Sequence, residues 1–296
     1  MTDASHDALE LTSDDGTQLM LHRLGGSGPA LLICHATGFH GRAYLPLAHS
    51  FAQHFTVWAI DMRAHGAAGA PINGDFSWQR MGEDVLAAID TLGGSPLHAF
   101  GHSMGGAAIL LAEIARPGII TAAFMYEPII FPEAFLAARD ENPLAAPTRR
   151  RRELFASREA ALARYASRPP LNILRADALH AYVADGFVDL PDGTVRLACR
   201  AEVEARTYES EGYATLERIH GLRLDVTVAA GERGLPPNPA QFAPTITDAI
   251  EGAHLRWYED LGHFGPLQAP DVIARDALAA LHVTETPHST TPESLS

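Results

Sequence analysis

Cysteine is almost absent: the 296 residues hold two, Cys34 and Cys199, far apart in the chain. Two such thiols make neither a disulfide framework nor a zinc motif, and a cytoplasmic protein with free thiols is the expectation. Cys34 closes the run Leu31-Leu32-Ile33-Cys34 and reads as a small hydrophobe in a buried strand. Long apolar runs are missing as well. No continuous apolar, uncharged stretch reaches the ~18 residues that read as a membrane span, and the polar, acidic start Met1–Asp7 does not read as a signal peptide. Positive charge is in deficit, with 22 Lys and Arg against 36 Asp and Glu and a net charge of −14. That balance argues against nucleic acid or a membrane as partner. The one basic run, Arg149-Arg150-Arg151-Arg152, is followed by Glu153 and Glu159 and reads as a solvated helical face. The 15 histidines show no metal-ligand pattern such as H-E-x-x-H, and Gly25-Gly26-Ser27-Gly28 precedes a strand instead of opening a helix. Neither metal nor cofactor is expected.

Hydrophobic residues make up 47% of the chain, enough for one sizeable core. Strand-like and helix-like segments alternate, the pattern of an α/β fold with a mainly parallel sheet and helices on both faces. An opening hairpin is expected around Asp15-Gly16, with strands at 30–34, 56–60, 97–100, 121–126, 224–230 and 254–258. Helices are expected at 43–53, 78–92, 104–115, 239–250 and 271–282. Residues 8–131 and 216–283 form the core in this reading. Residues 132–215, rich in Arg, Ala and Glu, read as a helical insertion that caps the carboxyl ends of the strands as a lid. Residues 1–7 and 284–296 read as disordered tails.

The most informative stretch is Gly101-His102-Ser103-Met104-Gly105-Gly106, a G-x-S-x-G pattern between the apolar runs Leu97–Phe100 and Ala107–Ala112. Strand, glycine-pinched serine and helix in that order make a nucleophile elbow. The sharp turn needs flanks without bulky side chains, and it aims the first amides of the helix at the serine. Around it stand His35-Ala36-Thr37-Gly38-Phe39, Asp61-Met62-Arg63-Ala64-His65-Gly66 and Gly262-His263-Phe264. With these landmarks in this order, residues 9 to 283 resemble the α/β-hydrolase superfamily.

The resemblance implies a serine nucleophile, Ser103, with His263 as its base on the loop after the last strand. In the commonest pattern the acid is an Asp three residues beyond Gly231, but Gly234 stands there. A branch of the superfamily moves the acid to the end of the sixth strand, and Glu127 after Ala123-Phe124-Met125-Tyr126 resembles that placement; Glu232 is the alternative. The oxyanion hole is expected from the amides of Met104 and Thr37, with Gly38 as a possible donor because Ala36 replaces the usual glycine. His35, His65 and His102 read as holding backbone and loops. Phe39, His40 and Tyr44, beside Phe131, Trp78 and Phe264, are expected to wall a pocket. A serine excludes the branches that form an ester on an aspartate, namely epoxide hydrolases and haloalkane dehalogenases. The expected activity is hydrolysis of a small-molecule ester or lactone through an acyl-enzyme. Carbon–carbon or amide hydrolysis on the same residues is the alternative, and a non-catalytic binding protein is the reading from another class. Oligomeric state is left open.

Overall fold

The structure, a computed structural model, describes residues 8–138, 142–232 and 238–282. The expected tails at 1–7 and 284–296, and Gly234, lie outside the described residues. The chain opens with the antiparallel hairpin β1 (Ala8–Thr12) and β2 (Gln18–Gly25), which pairs Leu11 with Leu19. Then come β3 (Ala30–Cys34), β4 (Thr56–Asp61), β5 (Leu97–His102) and β6 (Ile120–Tyr126). Three short strands follow, β7 (Leu154–Phe155), β8 (Phe187–Asp189) and β9 (Val195–Leu197), before β10 (Leu222–Gly231) and β11 (Ile250–Tyr258). The main sheet runs β1-β2-β4-β3-β5-β6-β10-β11. It is antiparallel from β1 to β4 and parallel from there to its far edge.

A parallel strand covered on both faces must be apolar on both. Leu32 and Cys34 accordingly pack into one core cluster and Leu31 and Ile33 into the other. The first cluster is closed by α2 (Trp78–Thr91), α3 (Met104–Ala115) and the shorter helix Ala243–Ala249. The second is closed by α1 (Leu45–Phe51) and the helix Pro270–Ala280. Two expected helices are shorter than their apolar pattern. Each begins as a 3-10 turn, Gly41–Tyr44 and Pro239–Phe242, and becomes α-helical where Pro46 or Pro244 occupies the first turn.

The segment 132–215 departs from the all-helical expectation. It carries helices at Arg158–Ala166, Ala176–Asp185 and Ala201–Glu209, and also the antiparallel sheet β7-β9-β8. Strands of two or three residues are too short to show an alternation in sequence. A β-bridge between Phe131 and Thr215 helps tie the two ends of this segment together. Its apolar residues Phe155, Tyr182, Phe187, Val195 and Leu197 join the core cluster that holds Phe39 and Tyr44.

Candidate active site

Ser103 stands between the last residue of β5 and the first of α3, at φ 56° and ψ −115°. Such a backbone costs roughly 1–3 kcal/mol and persists only where its surroundings enforce it. The flanking glycines show what enforces it. A side-chain carbon on Gly101 would stand 2.6 Å from the Cα of Gly106, and one on Gly105 would stand 2.1 Å from the Cys34 carbonyl oxygen. The elbow is therefore pressed against the end of β3, and the Ser103 amide donates to the Tyr126 carbonyl of β6 at 2.9 Å.

Glu127 follows β6 directly, at φ 44°. Its amide donates to the Ala229 carbonyl at 2.8 Å, while its Oε1 accepts the Gly231 amide at 3.0 Å. Its Oε2 lies 2.6 Å from Nδ1 of His263, and Nε2 of the same ring lies 3.1 Å from the Ser103 hydroxyl. With Nδ1 facing a carboxylate, the imidazole carries its proton there and leaves Nε2 free to accept. The Glu127 side chain is 2% exposed and that of His263 31% exposed, so the carboxylate is sealed and the imidazole reaches the surface of the site. The structure thus brings Ser103, His263 and Glu127 into one hydrogen-bonded row. Glu232 is exposed, and its amide holds the Tyr258 carbonyl at 3.0 Å.

The loop after β3 forms a tight turn in which the Phe39 amide donates to the Ala36 carbonyl at 3.1 Å, with Gly38 at φ 78°. These are the marks of a type II turn, which places the positive φ at Gly38 and lets Ala36 stand where glycine is usual. Among the described residues, the amides of Thr37 and Met104 have no intramolecular acceptor. Because Gly105 touches Cys34, the start of α3 and the root of this turn lie side by side.

The buried histidines hold backbone, as expected. Nε2 of His35 accepts the Met62 amide at 3.1 Å and its Nδ1 donates to the Ala36 carbonyl at 2.8 Å. Burial, reinforced by the nearby His65, brings the His35 pKa down to about 3. His65 is paired to the Arg63 carbonyl at 3.0 Å. His102 is fully buried, and burial, helped by repulsion from His263, holds it well below the usual range.

Of the expected wall, Phe39 and Phe264 are together at 5.6 Å, and Phe264 is 5.6 Å from the His263 ring. Tyr44 is a correction. It is fully buried and spends its hydroxyl on His102 and the Ala36 amide, because the 3-10 turn that carries it points the ring into the core. Trp78 is another core residue, stacked 4.5 Å from Tyr213 with its ring nitrogen on the Thr207 carbonyl. His40 is buried under Tyr182 and paired to its carbonyl. Phe131 sits with Phe135, Tyr213 and Phe242 at the neck of the inserted segment. In their place the insertion supplies Tyr182, 5.0 Å from Phe39, and the carboxylate of Glu204, which packs on Gly38. Glu204 is paired with Arg151, whose guanidinium also donates to the Tyr182 hydroxyl at 3.1 Å. Arg151 is therefore not part of a solvated face. No motif marks Tyr182, Arg151 or Glu204, because their meeting depends on how the insertion folds back.

A model of the alpha/beta hydrolase family matches residues 31–277. Among curated proteins, the chain is 34% identical over 87 residues to a fluoroacetate dehalogenase of a Burkholderia species, covering 28% of this chain and 29% of that protein. It is 28% identical over 206 residues to the 2-(acetamidomethylene)succinate hydrolase of Mesorhizobium japonicum, covering 69% of this chain and 66% of that one. The chain thus matches under a third of the first relative's length and just under two thirds of the second's. Among solved structures, that of E-2-(acetamidomethylene)succinate hydrolase superposes with a TM-score of 0.75 at 20% identity, covering 93% of this chain and 99% of that one. At that identity the likeness speaks for the fold.

Proposed function

The chain belongs to the alpha/beta hydrolase family, and on that premise we propose that it is a serine hydrolase cleaving an acyl bond in a small organic molecule, an amide before an ester. The observation that carries the reading is the row Glu127–His263–Ser103, with contacts of 2.6 and 3.1 Å. Nucleophile, base and orienting acid in hydrogen-bond reach are the parts that covalent catalysis needs.

In this mechanism Nε2 of His263 takes the Ser103 proton as the serine oxygen attacks the acyl carbon. Glu127 holds the ring in the tautomer that can do so and offsets the charge of the imidazolium. The amides of Met104 and Thr37 receive the oxyanion, helped by the positive end of α3. Collapse of the tetrahedral intermediate breaks the bond to the leaving group, which departs with the proton from His263. Water, deprotonated by the same nitrogen, then releases the acid product. The inserted segment acts as the lid, and Phe39, Phe264 and Tyr182 wall the acyl site. A relative whose name specifies an acetamido substrate favours the amide over the ester or lactone expectation. An amide asks more of the proton delivered to its leaving nitrogen, and that proton comes from His263.

The test compares p-nitrophenyl acetate and butyrate with p-nitroacetanilide, for wild type and Ser103→Ala. Turnover by wild type alone supports the serine site, and anilide turnover supports the amide reading. Activity that survives in Ser103→Ala would sink the assignment.

A further inference from the structure

Nothing in the proposed chemistry uses His102 or Tyr44, yet both are fully buried and hydrogen-bonded to backbone of the loops that carry it. Nδ1 of His102 lies 2.6 Å from the Tyr44 hydroxyl, and its Nε2 lies 2.7 Å from the backbone carbonyl of His263. The Tyr44 oxygen also lies 3.1 Å from the Ala36 amide, which donates to it.

The partners fix every proton in this row. A carbonyl can only accept, so Nε2 of His102 carries the hydrogen. A neutral imidazole has one donor and one acceptor, so Nδ1 must accept, and the Tyr44 hydroxyl is its donor. The phenol has then given its only hydrogen, and its lone pair takes the Ala36 amide. The order is Ala36 N–H to Tyr44 O–H to His102, and His102 N–H to the carbonyl of His263. Each group in the row sits where an unmade hydrogen bond is costly.

The two ends of the row matter. Ala36 opens the turn that presents Thr37, and His263 bears the base. These lie on loops after β3 and β11, strands separated in the sheet by β5, β6 and β10. Between them stands the residue that directly precedes Ser103. We propose that Tyr44 and His102 are positioning residues that fix the spacing between the oxyanion-binding turn and the base, acting through backbone on both sides of the nucleophile. This rests on the serine-hydrolase reading. It is distinct from the Glu127 contact, which orients the imidazole ring, whereas His102 holds the backbone from which that ring projects. Tyr126 gives the same loop a second anchor, its hydroxyl donating to the Gly262 carbonyl at 2.9 Å. Unlike the Tyr126 anchor, the His102 row also runs by hydrogen bonds to the turn after β3.

Removing one link leaves the substrate-contacting groups in place but frees their relative position. A misplacement of about 1 Å costs on the order of tenfold to a hundredfold in rate. Tyr44→Phe deletes the link to His102 and to Ala36. His102→Gln keeps an amide nitrogen for the His263 carbonyl and loses the acceptor for Tyr44. Each is expected to lower kcat about 10- to 100-fold on the best ester or anilide, with KM within about threefold. The double variant is expected to lose no more than the worse single one, because either change already cuts the row. Losses that multiply in the double variant, or a Tyr44→Phe enzyme with wild-type kcat, would overturn the proposal.

A second readout needs no turnover. In long-range proton–nitrogen NMR spectra, His102 is expected as the neutral Nε2–H tautomer, and its Nδ1 signal should move downfield in Tyr44→Phe. Should that variant not fold, fluorinating Tyr44 at ring carbon 3 keeps the bond and makes the phenol a stronger donor, moving the same signal upfield. A signal that stays put overturns the link. If wild type and Ser103→Ala are equally inactive, the functional reading fails instead, and the tautomer still reports on the row.

Discussion

Glu127 reaches His263 from a backbone conformation that few residues other than glycine adopt, at φ 44°. Its carboxylate is sealed from water and satisfied on both oxygens, by the Gly231 amide and the His263 ring. Gln in its place can still accept the Gly231 amide, but it carries no charge to stabilise an imidazolium. Glu127→Gln is therefore expected to fold and melt cooperatively while kcat falls on the order of a thousandfold or more. If Glu127→Gln instead turns over normally and Glu232→Gln is dead, the acid is Glu232. At this scale the sequence was readable where a residue's place follows from its own strand: a carboxylate closing an apolar run, a histidine just past the last strand, a serine between glycines. It was not readable for Tyr44, whose ring direction depends on a 3-10 turn that the pattern 43–53 did not reveal. Nor was it readable for Arg151, Glu204 and Tyr182, which meet only after the insertion has folded back over Gly38.

The elements explain why the elbow tolerates so little. Helix α3 is apolar on every side, with all residues from Met104 to Ala112 buried, and it enters the core by grazing the end of β3. Gly105 is the point of contact. A methyl group there must displace the Cys34 carbonyl or the helix itself, because the 2.1 Å approach is to rigid backbone. Gly105→Ala is expected to cost at least the roughly 1–3 kcal/mol typical of overpacking, seen as a lower urea midpoint, and to lower turnover beyond what the lost stability explains. A variant as stable and active as wild type would mean that α3 does not sit this close. The inner parallel strands β3 and β6 were legible because burial on both faces makes each a nearly continuous apolar run. The small sheet of the insertion was hidden, since two or three residues per strand carry no periodicity.

For the molecule as a whole, the buried neutral histidines set a limit at acid pH. Burial holds His35, His65 and His102 below their ordinary value of 6.5, His35 down to about 3. Unfolded, they would bind protons near 6.5; folded, they do not. The unfolded chain thus takes up more protons below that pH, so stability is full above 6.5 and declines as pH falls toward the folded values. A histidine that takes up its proton only in the unfolded chain costs about 1.4 kcal/mol of stability per pH unit until the pH reaches its folded value. Urea midpoints should fall steadily from pH 6.5 to 4.5, and a flat profile would show that these rings accept protons in the folded state. The same architecture bears on how the molecule assembles. His263 meets Glu127 across 136 residues of chain and Ser103 across 160. Contacts of such separation form late and slowly, because the loops must close before anything rewards them. Regained turnover after dilution from denaturant would then lag behind regained helix signal and time the last closure of the sheet.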